Sequence, residues 1–269
     1  MAGLKLGVEP REVGMDVKDV EGRFAAATSL DDQIDQLFLA MQNYGFDTLI
    51  YDYTPGRYDL SGQLIIPTVL ELRNVDETMR DYWCQRGYFR HDPVQHVALS
   101  TTGPFFWNYD PKAKTLIHAF MNEETVPVAE FLWERGLTAG VTVPIHLPGG
   151  DYATVTGIRA GDPVRLERDI QLCMGDFNLV AHLFQRTAAL RIGRERALSS
   201  LPRLTARERE CLRYSAEGYS AKEISRLIDR AVPTVVMHLN AATRKLGARN
   251  RTQAVARAAH LRMFDQPRA

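Results

Sequence analysis

The sequence predicts an α+β protein of two modules. An antiparallel sheet covered by helices spans residues 1–191, and an all-α bundle of four short helices spans 203–269, with a linker at 192–202. Three observations carry this reading. Up to about Leu190 the hydrophobic period switches between helix-like and strand-like, with a hairpin near the end of that stretch. Beyond Leu201 the periods are helical, three of the four opened by a capping residue. The charge also changes there: of 33 basic and 33 acidic residues, 14 basic and 6 acidic lie from Ser200 onward, leaving 19 and 27 for the rest. A basic end on an acidic body is the asymmetry of a module that meets a polyanion.

Along the first module, Leu30 to Tyr44 places Ile34, Leu37, Phe38 and Met41 on one side of a helix. Thr48 to Tyr53 reads as a strand. Leu64 to Leu70 reads as another, an edge or broken one because Pro67 has no N–H for a ladder. Helices are expected over Glu77 to Gly87, Pro93 to Ser100 and Val128 to Arg135, the last stopped by Gly136. Gly140 to Leu147 and Tyr152 to Ile158 form a hairpin through Pro148, Gly149 and Gly150. A long amphipathic helix from about Arg165 to Leu190 aligns Ile170, Met174, Phe177, Ala181 and Phe184. Ser199, Ser200 and Pro202 break the linker that follows.

In the second module, Thr205 with Glu208 three residues on is a capping box. The helix it opens turns Cys211, Leu212, Ser215 and Ala216 inward and stops at Gly218. Ser220 with Glu223 opens a second helix, with Ile224, Leu227 and Ile228 inward, and Asp229 with Arg230 fits a tight turn. A third helix, Val232 to Leu246, aligns Val235, Leu239, Ala242 and Leu246 and ends at Gly247. Asn250 with Gln253 opens a fourth, containing Ala254, Val255, Ala258 and Leu261.

Two short helices joined by a tight turn in a basic bundle match the helix-turn-helix, whose second helix enters the major groove. The face opposite Val235 and Leu239 carries Val232, Pro233, Val236, Met237, Asn240 and Arg244. The Asn240 amide both donates and accepts, as base-edge reading requires. Thr234, His238, Lys245, Arg249 and Arg251 are expected on phosphates, and Lys222 and Arg230 complete the DNA-facing set.

The composition, 45% apolar and 25% charged, is that of a globular protein. No apolar run approaches the roughly 18 residues of a membrane span, and the N-terminus has early acids and no apolar core, unlike a secretory signal. Cys84, Cys173 and Cys211 lie far apart, against a disulfide framework or a zinc site. A cytoplasmic location is expected, with no cofactor and no membrane partner. There is no GxSxG elbow, phosphate-binding loop or HExxH, so an enzyme is not expected.

The pieces LTARERE, AEGYSAKEIS, TVVMHLNAATRKLG and RNRTQAVARA resemble the LuxR-type helix-turn-helix over its full length. DYWCQRGYFRHDPV, GPFFW and GLTAGVTVPIHLPGGDYATVTG resemble the autoinducer-binding domain of LuxR-type quorum-sensing regulators. The resemblance implies an α/β/α sandwich with its ligand between the sheet and a layer of helices, and a homodimer on a palindromic, lux-box-like DNA site. It makes Asp92 the acid that accepts a ligand amide N–H, matches Pro93, Trp107 and Gly140, and puts pocket hydroxyls at Thr142 and Thr156. From the residues alone, Asp92 before Pro93 is a helix N-cap, and the two roles are compatible. The expected ligand set is Met79, Trp83, Tyr88, Asp92, Val94, Phe105, Trp107, Thr142 and Thr156, although for the aromatic members ordinary core packing is an equal alternative.

Several positions depart from the family pattern. Members that bind acyl-homoserine lactones carry a Trp and a Tyr that donate to the two ligand carbonyls, where this chain has Met79 and Trp83. That pair resembles the LuxR "solo" subgroup of plant-associated bacteria, which responds to plant-derived compounds. The expectation is a regulator sensing a molecule other than a lactone. The alternatives are a regulator that needs no ligand and one that still answers lactones. In the DNA module Asp229 replaces a turn Gly, Ala231 a capping Ser and Val236 a Lys. LuxR-type helix-turn-helix domains also end phosphorylated response regulators, but those begin with a strand followed by paired acids, which this chain lacks.

Overall fold

The computed structural model describes residues 17–59, 62–159, 163–192, 204–261 and 263–264. Helices α1 (Val17–Ala26) and α2 (Leu30–Gln42) lead into strand β1 (Thr48–Thr54) and strand β2 (Val69–Arg73). A short helix α3 (Thr78–Arg80) runs on as a π turn over Asp81–Gln85, followed by α4 (Tyr88–His91), α5 (Pro93–Ser100) and β3 (Phe105–Asn108). Helix α6 (Val126–Glu134), the hairpin β4 (Ala139–His146) and β5 (Tyr152–Ile158), and helix α7 (Pro163–Arg191) complete this part. The sheet is fully antiparallel in the order β2-β1-β5-β4-β3.

Strand alternation splits the interior in two. Leu49, Tyr51, Val141, Val143 and Val155 face α1, α2 and α7, against Ile34, Leu37, Phe177 and Phe184. Ile50, Trp107, Tyr152 and Ile158 face the other way, against Met79, Trp83, Val94, Phe131 and Leu132. Buried on both faces, β1, β4 and β5 have almost no exposed position. This is the α/β/α sandwich.

The strand expected at Leu64 to Leu70 is displaced. Leu64 makes only an isolated bridge to Tyr58, and the ladder to β1 starts at Val69, after Pro67. Thr68, the first residue past the proline with an N–H to give, donates it to the Tyr53 carbonyl at 2.9 Å. Helices α1 and α4 and strand β3 were not anticipated: the first lies among polar residues, and the other two span four residues each. The linker from residue 193 lies outside the described residues, while Ile192 packs in the core beneath α7.

The C-terminal bundle follows its caps. Helices α8 (Ala206–Ala216) and α9 (Ala221–Leu227) both open with complete capping boxes, and Asn250 caps α11 (Arg251–His260). Helix α10 (Val232–Lys245) starts at Ala231 with no side-chain cap. Asp229 takes the turn in left-handed geometry, φ +50°, which a short polar side chain tolerates. The core is Cys211, Leu212, Ile224, Ile228, Val235, Leu239, Ala242, Leu246, Ala254 and Ala258. Two inward assignments are corrected, since Ala216 and Leu227 are exposed. Helix α9 is only two turns long, and Ile224 with Ile228 at i and i+4 already fills its inner face.

Candidate ligand pocket and nucleic-acid interface

A cavity lies between the sheet and the α3–α6 layer, lined by Ile50, Met79, Trp83, Asp92, Val94, Gln95, Trp107, Leu132, Thr156 and Ile158. Of the nine expected ligand residues, Met79, Trp83, Asp92, Val94, Trp107 and Thr156 line it. Three stand behind its wall. Tyr88 packs edge-on against Tyr82 and Phe131, because the left-handed Gly87 turns α4 away from the π turn. Phe105 is paired with Thr142 across β3 and β4 and belongs to the core. Thr142 is fully buried in a relay: Trp107 Nε1 donates to its hydroxyl oxygen at 2.9 Å, which lies 2.9 Å from that of Thr156.

Ile50, Gln95, Leu132 and Ile158 were missed. Ile158 lies two residues along the same face as Thr156, which the strand period alone shows, while Ile50 joins the site only through the pairing of β1 with β5 that sets it opposite Thr156. Gln95 and Leu132 carry no such signal.

Asp92 holds two roles at once. As the N-cap of α5 its Oδ1 accepts the Val94 N–H at 2.9 Å, and the same oxygen accepts the Tyr109 hydroxyl at 2.8 Å. Burial pushes its carboxyl up to about 6, against the pull of those two donors. A second acid, Asp52, was not anticipated as part of the site. It is buried beneath α5, where its Oδ2 accepts the Thr154 hydroxyl and the Gln95 Nε2 at 3.2 Å. Burial pushes Asp52 up to about 7 despite both hydrogen bonds, with the Asp92 charge adding to the rise.

The cavity measures about 20 Å³, room for a water-sized molecule. Ligand pockets of drug-sized guests run to roughly 300 Å³ or more, so a larger guest requires the walls to move. The wall that carries Met79 and Trp83 is suited to this. It changes from α to π hydrogen bonding within eight residues, and Met is the most adaptable of large apolar side chains.

In the bundle, the expected groove-facing side chains of α10, namely Val232, Pro233, Val236, Met237, Asn240 and Arg244, are all exposed, as are Lys222, Arg230 and Arg249. Thr234 and His238 are half-buried beside them. Two residues expected on phosphates have partners inside the bundle. Arg251 donates to the Ser215 hydroxyl and the Tyr219 carbonyl, which ties α11 to the end of α8. Lys245 pairs with the buried Glu208 at 2.8 Å. Burial raises the Glu208 carboxyl, but Lys245 and the Thr205 N–H outweigh it and hold the group below its usual range.

Lys245→Ala is therefore expected to lower the melting temperature of the bundle, at a cost of about 1–3 kcal/mol for the stranded carboxylate. It is expected to leave the salt slope of DNA binding nearly unchanged, whereas Arg249→Ala flattens it by about 0.9. Circular dichroism and salt-dependent binding read the two effects separately, and a flattened slope for Lys245→Ala overturns the assignment.

Comparison with known proteins agrees with this geometry. Residues 29–188 match the family model of the autoinducer binding domain, and residues 202–258 that of bacterial regulatory proteins of the LuxR family. The chain is 33% identical over 187 residues to the transcriptional activator AhyR of Aeromonas hydrophila, covering 66% of this chain and 68% of that protein. It is 29% identical over 231 residues to the activator BjaR1 of Bradyrhizobium diazoefficiens, covering 84% and 86%. Escherichia coli SdiA shares the fold at a TM-score of 0.65 and 22% identity, over 92% of this chain and 97% of that one. These matches span both modules and answer to transcriptional activators rather than enzymes, and the chain belongs to the LuxR family of transcription regulators, with an autoinducer-binding domain joined to a DNA-binding helix-turn-helix.

Proposed function

We propose that the chain is a homodimeric, cytoplasmic regulator that senses a small molecule other than an acyl-homoserine lactone, of the kind the plant-associated "solo" subgroup answers, and binds a palindromic site. The observation that carries this is the wall at Met79 and Trp83. Met79 is fully buried in the cavity lining and has no hydrogen to donate. Each ligand carbonyl left without a donor loses on the order of 1–3 kcal/mol, so two such losses weaken a lactone about 10- to 10⁴-fold. Asp92 remains as an acceptor for an amide or amine hydrogen. Pairing is supported by Leu172 and Leu179, exposed and seven residues apart on one face of α7. Two subunits then hold their α10 helices about one DNA turn apart.

Thermal-shift measurements on the purified full chain test the reading, with N-hexanoyl-homoserine lactone beside host-plant extract. The extract is expected to raise the melting temperature and the lactone to leave it unchanged at the same concentrations. Asp92→Ala is expected to abolish the response to the extract while DNA binding persists. Tight binding of the lactone overturns the proposal. The small cavity volume favours a second reading, a regulator that works without any ligand; it gains support if neither the extract nor the lactone shifts the protein while the chain still binds DNA.

A further inference from the structure

Asp52 is a buried acid with no cation to neutralise it among the cavity-lining residues. Its Oδ2 is occupied by Thr154 and Gln95, but its Oδ1, equally buried, has no hydrogen-bond partner among the described residues. Such an oxygen is costly to leave unmatched. The acid lies on the same face of β1 as Ile50, which lines the cavity. Gln95 joins it to that cavity. Gln95 lines the wall, and its amide gives Nε2–H to Asp52 and accepts the Tyr152 hydroxyl on Oε1 at 3.4 Å. The amide is thus held in one orientation by partners on either side. A hydrocarbon chain laid against this group satisfies none of it, whereas a hydroxyl or amine hydrogen does.

We propose that Asp52, Gln95 and Tyr152 form a second polar subsite of the sensor, which receives a hydrogen-bond donor of the guest, so that the domain selects a short molecule with a second O–H or N–H over one with a hydrocarbon tail. The proposal rests on the reading of the cavity as a ligand pocket with Asp92 as its first polar contact. Asp52 acts partly through Gln95, which it positions. The two residues supply polarity that Met79 and Trp83 do not, and they bias the pocket against fatty acyl groups by leaving buried polar atoms unpaired beneath such a tail.

A matched pair of probes tests this on the full chain: 4-hydroxybutanamide and pentanamide, which share an amide head and nearly the same length and differ in one terminal O–H against C–H. N-butanoyl-homoserine lactone serves as the third arm. At pH 8, where Asp52 is ionised, the wild type is expected to bind the hydroxy amide about tenfold or more tightly than pentanamide by titration calorimetry. Asp52→Asn, which keeps its oxygen on Thr154 and sets an NH2 in place of the free Oδ1, is expected to lose the preference, as is Asp52→Leu. Should Asp52→Leu not fold, as judged by circular dichroism, Gln95→Leu makes the same test. Equal binding of the two amides, binding of neither, or a preference that survives both Leu substitutions overturns the subsite; equal binding assigns the cluster to a structural water. Tighter binding of the lactone than of either amide overturns the ligand class proposed above instead.

Discussion

Asp52→Asn is expected to stabilise the sensor domain at pH 8 by up to about 4 kcal/mol, and to remove most of the pH dependence of its stability. The folded protein holds the Asp52 proton up to about pH 7, against an ordinary value of 3.8, and each unit of difference is worth about 1.4 kcal/mol. Because the value is raised, the folded chain binds more protons than the unfolded one between these limits. Stability is therefore complete below about pH 3.8 and falls as pH rises through 7. Asp92, pushed up to about 6, adds a smaller loss of the same sign. An asparagine keeps the acceptor for Thr154 and never ionises. Thermal melts of wild type and variant from pH 5 to 8 read the effect, which at this size is on the order of 10 °C at the upper end. Parallel curves for the two proteins contradict it.

The second large effect belongs to Gly140. A Cβ built there lies 2.6 Å from the Gly157 carbonyl oxygen and 2.8 Å from Cζ2 of Trp107. The first neighbour is backbone of the paired strand β5, which cannot retreat without opening the hairpin ladder. The second is the ring whose N–H reaches Thr142. Gly140→Val is expected to cost about 3 kcal/mol or more, at the upper end of overpacking effects, and to remove any ligand response by pushing Trp107 out of its relay. The helix-turn-helix domain is expected to melt as before. Calorimetry that resolves two transitions checks this, and an unchanged first transition refutes it.

Asp52 also marks where sequence reasoning stops. The capping boxes at Thr205 and Ser220, the hairpin at 140–158, the amphipathic stripe of α7 and the left-handed turn at Asp229 were all legible, because each is decided by residues within a few positions of one another. The same holds for the outward face of α10, set by the helical period alone. Period alone leaves Lys245 and Arg251 free for phosphate, since their partners Glu208 and Ser215 lie 37 and 36 residues away and no period connects them.

Strand β3 and helix α4 are too short to leave a period, and the π turn that presents Trp83 leaves none either. The chain by itself determined the two modules and the helices and hairpin within them. Only the tertiary structure decided that β1 lies beside β5, which sets Asp52 opposite Thr154 under Gln95. The reason is that local chemistry fixes an element, while the order of strands follows from pairing partners a hundred residues apart, and Asp52 and Thr154 meet only once those strands have paired.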